Sequence, residues 1–181
     1  LIMGNCGVGF APCERTDNAH DRLIAVMEDV EDIPGSALHE GISWDWESFP
    51  EYLDAVEAFP RAIDVGAQVP HCAVRTYVMG DRGTHNEKAT GEDIEKMSAI
   101  VMQGIQAGAL GFTTSRTELH TTREDQAMPG TYADEDELLG IGRAIGKTGG
   151  KAIYGVVSDW DNWEEEMDWM KRLSIENNCQ I

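Results

Sequence analysis

Leu1-Ile2-Met3-Gly4-Asn5-Cys6-Gly7-Val8-Gly9-Phe10 begins the chain. Three apolar residues run directly into glycines that bracket one cysteine, the pattern of a buried strand end opening into a tight turn. A turn of this kind aims a side chain at a cavity, and the side chain is the Cys6 thiol. A lone cysteine is by default a small buried hydrophobe. The glycine-flanked strand end makes a metal-ligand position the alternative.

Working outward, the turn leads to a helix over residues 21–30 with Leu23, Ile24, Met27 and Val30 on one face. Residues 31–62 read as an insertion: Ile33-Pro34-Gly35 turns the chain, Trp44 and Trp46 sit in a loop, and residues 49–59 form a short amphipathic helix. A second strand is expected over residues 62–69, stopped by Pro70 and followed at once by His71. After a polar loop over residues 80–89, Thr90 with Asp93 three positions on is a helix N-cap, and Ile94, Met97, Val101 and Ile105 make that helix's stripe as far as Gly108. Residues 110–114 are the third strand. A long loop over residues 115–132 follows, and loops of such length in compact domains are functional or mobile. A helix over 134–147 halts at Gly149-Gly150, residues 151–158 are the fourth strand, and the last helix, 162–176, turns Trp163, Met167, Met170 and Leu173 inward.

Strand and helix alternate four times, which makes this an α/β chain of parallel βαβ units with both sheet faces covered. Functional side chains gather at the carboxyl ends of such strands. Those ends carry Cys6, His71, Ser115 with Arg116, and Asp159.

With 14 basic against 33 acidic residues the formal net charge is -19, which repels nucleic acid and anionic membrane surfaces. No window nears eighteen consecutive apolar residues, so no membrane span is expected. Cysteines at 6, 13, 72 and 179 form no Cys-x-x-Cys pair, and no secretory leader opens the chain, which favours the cytoplasm. Both ends read as cut, with Leu1 in place of an initiator and Asn177-Asn178-Cys179-Gln180-Ile181 like a strand just beginning.

Three stretches carry a resemblance: Met3 to Pro12 (Met-Gly-Asn-Cys-Gly-Val-Gly-Phe-Ala-Pro), Ala107 to Ser115 (Ala-Gly-Ala-Leu-Gly-Phe-Thr-Thr-Ser) and Pro129 to Ala133 (Pro-Gly-Thr-Tyr-Ala). In this order the chain resembles the amidohydrolase superfamily, and more narrowly the N-acyl-D-amino-acid deacylases, or D-aminoacylases. The resemblance covers nearly all of residues 1–181 and implies a partial (β/α)8 TIM barrel, strands two to five with their helices. It implies hydrolysis of a linear amide, N-acyl-D-amino acid to D-amino acid plus carboxylate, in a full-length parent whose remaining barrel segments would complete the site. It also implies zinc, with Cys6 as the strand-two ligand, and a small-molecule N-acylated substrate. The strand-one His-x-His pair, the strand-six histidine and the general acid/base aspartate of strand eight would lie outside this chain, and the fragment alone is expected to be inactive. After strand five, where the deacylases carry a ligand histidine, Val156-Val157-Ser158-Asp159-Trp160 offers Asp159 instead. Asp159 is then a replacement ligand, the sign of a different amide substrate, or the trace of a lost metal.

The strand-four loop supplies Ser115, Arg116, His120 and Tyr132 as substrate-binding candidates. A guanidinium grips a carboxylate with two hydrogen bonds, so Arg116 suits a substrate carboxylate, or braces the loop against a nearby acid. A phenol orients a substrate oxygen or anchors a loop, which leaves Tyr132 both roles. His71 has a site role or a capping one. His20, His39 and His85 lie in polar stretches and are expected in solvent without a role, like the Glu164-Glu165-Glu166 run. The glycines from Gly140 to Gly146 fall inside a helix and are no nucleotide fingerprint. Two readings stand beside the deacylase: a hydrolase of a cyclic amide or another N-acyl compound, and a metal-free barrel relative with a binding or scaffold role.

Overall fold

The computed structural model describes residues 1–122, 126–149 and 152–181. Residues 123–125 of the long loop, and the expected stop at Gly150 and strand start at Lys151, lie outside the described residues.

Strand β1 (Ile2–Met3) leads through the glycine turn to α1 (Asp17–Glu31), which turns Leu23, Ile24 and Val26 inward and is capped by Thr16. The segment at 31–62 folds as α2 (Gly35–Gly41) and α3 (Phe49–Ala58), the second started by a Ser48–Glu51 capping box. It is tied back onto the first turn. Trp46 Nε1 donates to the Phe10 carbonyl at 2.8 Å, and the Cys13 N–H donates to the Glu47 carbonyl at 2.9 Å. Trp44 stacks on His20 with ring centres 4.1 Å apart, so His20 is half-buried against an aromatic face rather than free in solvent.

The second strand is shorter than expected and comes later. Strands β2 (Gly66–Ala67) and β3 (Val69–Pro70) are separated by Gln68 alone and act as one rung of the sheet. Pairing begins where the Leu1 carbonyl first offers the Gly66 N–H a partner, at 2.9 Å, while Ile63 stays exposed. A backbone without a partner strand does not form a ladder, whatever its propensity. Helix α4 (His71–Met79) starts immediately afterwards, followed by the short α5 (Asp81–Thr84); neither is among the expectations above. Polar His71, Arg75 and Thr76 interrupt the apolar period of that segment.

Helix α6 (Gly91–Ala107) has the expected cap: Thr90 Oγ1 accepts from the Asp93 N–H at 3.2 Å while Asp93 accepts from the Thr90 N–H at 2.9 Å. Then come β4 (Gly111–Arg116), α7 (Glu135–Gly146), β5 (Ile153–Ser158) and α8 (Trp163–Asn177). The glycines of α7 admit α8 closely, since a Cβ on Gly142 would stand 2.6 Å from Leu173. Helix α8 meets α7 through Arg172, Leu173 and Asn177 in its C-terminal half. Its inward residues are therefore Trp169, Met170 and Leu173, whereas Trp163 and Met167, expected inside, are 59% and 47% exposed.

The strands form two sheets, β1–β2 and β3–β4–β5, every strand-to-strand pairing in them is parallel, and with β2 and β3 as one rung the order follows the chain without a reversal. An order that never reverses is that of a (β/α) barrel segment, in contrast to a doubly wound sheet with a switch point. Phe112 and Tyr154 from neighbouring strands lie fully buried under the helices, ring centres 5.0 Å apart, in one core with Met97, Val101 and Leu138. Gln180 lies parallel beside Ile153 and its carbonyl accepts from the Tyr154 N–H at 2.8 Å, so another strand position opens past α8. No helix among the described residues is long and apolar enough to cross a membrane.

The outer edge of β1 and most of the outer edge of β5 have no strand partner among the described residues, and Leu1, Ile2 and Ile153 are exposed along them. Open hydrophobic edges template association. The isolated 181-residue chain is expected to self-associate with rising concentration in analytical ultracentrifugation. A clean monomer with a sharp two-state melt would contradict this.

Candidate functional site

The carboxyl ends of all four rungs point the same way, because every strand-to-strand pairing is parallel. The turn after β1 folds over the top of β3 and reaches β4. Gly7 N–H donates to Thr113 Oγ1 at 3.1 Å, the same hydroxyl donates to the Gly4 carbonyl, and the Gly7 carbonyl accepts from the Cys72 N–H at 3.0 Å. Gly7 has φ +82°, and a Cβ there would stand 2.7 Å from the Ser115 nitrogen, so glycine is needed for both conformation and approach.

Cys6 is half-buried at this turn and its Sγ donates to Glu31 Oε1 at 3.4 Å, beside a small apolar cluster of Val8, Val26, Cys72 and Met128. Burial pushes the thiol up; the Val8 backbone pulls it down, and the Glu31 carboxylate pushes it up again. A thiol so placed becomes a thiolate ligand only when a cation offsets that environment.

Along β4, side chains alternate between two faces. Phe112 and Thr114 look toward the helices, as does Arg116, while Thr113 meets the Cys6 turn. Ser115 Oγ and His120 Nδ1 are 2.9 Å apart, which folds the start of the long loop back over the strand end. Asp159, just past β5, accepts from the Thr117 hydroxyl and, at 2.7 Å, from the Glu118 N–H. Those two bonds hold its carboxyl below the usual carboxylate range, and nearby His120 adds to the effect. Tyr132 is 58% exposed and its hydroxyl donates to Glu118 Oε1 at 3.2 Å. Asp159 and Tyr132 are therefore linked through residues 117 and 118, on the same loop as the Ser115–His120 pair.

Arg116 and His71 lie differently. Arg116 grips Glu166 of α8 at 2.8 Å, donates to the carbonyls of Thr131 and Ala133 at 3.4 and 2.9 Å, and lies over the Trp169 ring. Of the two roles open to it, the loop brace is the one the geometry displays. Its partner Glu166 is correspondingly sheltered and is not part of a solvated acidic run.

His71 is 1% exposed, its Nε2 2.8 Å from Glu137 Oε1 and its Nδ1 2.8 Å from Thr114 Oγ1. Glu137 also faces the buried Arg75 guanidinium at 3.6 Å. A carboxylate opposite a guanidinium accepts from Nε2–H of His71. The imidazole joins α4, α7 and β4 behind the strand ends.

Sequence reasoning missed several partners. Arg75 and Glu137 escaped because α4 went unread; His71 and Arg75 at i and i+4 on one helix face were the available signal. Glu31, Thr117 and Glu118 carry no signal of their own. Asn86, whose side chain accepts from the Gly130 N–H at 2.8 Å and donates to the carbonyls of Ala127 and Met128 at 3.0 Å, clamps the long loop from a distant segment.

Thiolate and carboxylate are donor types that zinc takes, and Cys6 and Asp159 stand just past the carboxyl ends of β1 and β5. Among the described residues no three His, Cys, Asp or Glu side chains converge closely enough to hold an ion. The chain fits such an ion as a contributor of donors, not as a finished cage.

A sequence model of the amidohydrolase family matches residues 1–181. A D-aminoacylase from Alcaligenes xylosoxydans xylosoxydans is 29% identical over 150 residues, which is 83% of this chain and 26% of that protein. A crystal structure of D-aminoacylase superposes with a TM-score of 0.69 at 23% identity, over 98% of this chain and 32% of the other. A structure of N-acyl-D-glutamate deacylase from Bordetella bronchiseptica, complexed with zinc and a phosphonate inhibitor, matches with the same score, identity and coverage, 0.69, 23%, 98% and 32%. The chain thus spans between 26% and 32% of the length of these proteins.

Buried charges leave a checkable consequence. Glu137→Ala strands the Arg75 guanidinium and is expected to cost about 3–5 kcal/mol in urea denaturation of the complete polypeptide. The double change Glu137→Leu with Arg75→Met should cost less than that single one. An equal or larger loss would show that the pair is more than mutual neutralisation.

Proposed function

This chain belongs to the amidohydrolase family, and we propose that its complete polypeptide is a metal-dependent hydrolase of a linear amide, converting an N-acyl-D-amino acid to a D-amino acid and a carboxylate. The chain contributes the second to fifth strand units of the barrel, with residues 31–62 as an insertion that pins the Cys6 turn. The observation that carries this reading is Cys6 itself: a thiol at the carboxyl end of a parallel strand, in a turn that only glycine can make, within a chain matched by the family along its whole length.

Cys6 and Asp159 are the residues that would hold zinc. A zinc ion, when bound, supplies positive charge that polarises an amide carbonyl and acidifies water. Around it the chain's own groups do the positioning. The Thr117 hydroxyl and Glu118 N–H fix the Asp159 carboxylate in its ionised form. Tyr132, exposed on the same loop with its hydroxyl on Glu118, would turn that hydroxyl to a substrate oxygen. Arg116 and His71 hold the loop and the strand ends from behind, so that these groups keep their positions without moving when substrate enters.

In the complete polypeptide, Cys6→Ala is expected to lose zinc and amidase activity toward N-acyl-D-amino acids together. Cys13→Ala, buried on the other side of α1, should leave both nearly unchanged. Metal analysis alongside a turnover assay on D- and L-substrates reads both effects. A wild-type protein with neither zinc nor amide turnover would sink the hydrolase reading and favour a metal-free relative with a binding role.

A further inference from the structure

We propose that Asn86 is a positioning residue for substrate binding: its carboxamide, reaching from the connection between α5 and α6, sets the far end of the long loop so that Tyr132 is presented to substrate. The inference rests on the hydrolase reading above and deepens it, because it names what holds the side chain assigned there to a substrate oxygen.

The segment from Ala127 to Ala133 is gripped from two sides. Asn86 Oδ1 accepts from the Gly130 N–H at 2.8 Å, and its Nδ2 donates to the carbonyls of Ala127 and Met128, each at 3.0 Å. Both ends of the carboxamide are thus committed to one loop, acceptor to N–H and donor to carbonyls, a match that the flipped amide does not make. Arg116 of β4 takes the carbonyls of Thr131 and Ala133. Burial follows the grip. Met128 lies within the apolar cluster beside Cys6, and Thr131 and Ala133 are buried, yet Tyr132 between them stands exposed.

The clamp has a fixed base on each side. Glu87, next to Asn86, offers its carbonyl to the Arg75 guanidinium, which faces Glu137 inside the fold. On the loop, Gly130 has φ +102°, and a Cβ there would stand 2.8 Å from His71 Nδ1, so the clamped backbone comes down on the buried imidazole. Neither base includes Cys6 or Asp159, whose own bonds run to Glu31, Thr117 and Glu118. Loss of the clamp therefore loosens Tyr132 and leaves the residues proposed to hold zinc in place. A loop that substrate must then order weakens binding and spares the chemical step.

Asn86 itself has φ +55°, a backbone that Asn and Gly adopt more readily than other residues. Asn86→Gly keeps that backbone and deletes the three hydrogen bonds, which separates a clamp from a residue needed only for its turn. In the complete polypeptide it is expected to raise KM for N-acetyl-D-amino acids about tenfold, with kcat within about twofold of wild type, zinc content unchanged and faster hydrogen exchange at the Gly130 amide. Added to Tyr132→Phe, it should raise KM by a smaller factor than it does alone, because the two residues act as a unit. Circular dichroism is recorded for each variant. Asn86→Asp, which keeps the acceptor for the Gly130 N–H and loses the donor, serves where Asn86→Gly fails to fold and should shift KM in the same direction. Unchanged KM in these variants, independent effects of Asn86→Gly and Tyr132→Phe, or loss of zinc together with turnover would overturn the positioning role and leave the hydrolase reading standing. A wild type without amide turnover would sink both.

Discussion

The contact on which the site depends is the one between the Gly4–Gly7 turn and the middle of β4. Thr113 uses one hydroxyl as both acceptor and donor, taking the Gly7 N–H and giving to the Gly4 carbonyl, and Gly7 lies so close to Ser115 that a side chain would be expelled. Strands β1 and β4 are not neighbours in the sheet; the rung made of β2 and β3 lies between them. The turn therefore bridges two rungs across the top of a third, and curvature of the sheet toward a barrel brings those rungs together. Thr113 is a buried hydroxyl with its bonding capacity used, which is the condition for placing a polar side chain there.

Polar side chains around the strand ends divide into two layers. Behind, toward the helices, lie His71, Arg75, Glu137, Arg116 and Glu166, whose charges face one another and whose bonds join strand to helix. In front lie Cys6, Ser115, His120, Asp159 and Tyr132, joined to the turn and the long loop by hydrogen bonds rather than by buried ion pairs. A charge that is buried and paired cannot also serve a substrate without large cost. The rear layer gives rigidity, and the alternation of side chains along β4 assigns Thr114 and Arg116 to the rear and Ser115 to the front.

How far this could be read from the sequence differs by layer. The strand-and-helix alternation, the Thr90–Asp93 cap and the glycine turn at Cys6 are local signals, and local signals survive in sequence. Residues 71–79 are helical with a mixed face, because His71 and Arg75 are buried by pairing with Glu137, which lies 66 positions along the chain from His71. Hydrophobic periodicity cannot register a polar residue buried for such a reason. The inward assignment of Trp163 and Met167 failed for the opposite cause: the period was right, but only the C-terminal half of α8 has α7 to lean on. Asp159 was visible by its place after a strand, yet the bonds that orient it come from Thr117 and Glu118, which have no distinguishing pattern.

The spacing of the residues proposed to hold zinc follows from the same architecture. In a barrel of parallel strands each carboxyl end presents about one or two side chains to the axis, so a site needing four or more ligands draws them from several strands. Cys6 and Asp159, the two residues proposed to hold zinc, stand just past the first rung and just past the last. Four rungs in order, with open edges on both sides, set these groups on one face of a curved sheet but leave the axis unenclosed. On the proposed reading, the absence of a three-donor cluster among the described residues and the unpartnered edges of β1 and β5 share one cause, a curvature that further strands would close. In this reading the geometry that completes the sheet is also the geometry that completes the donor set.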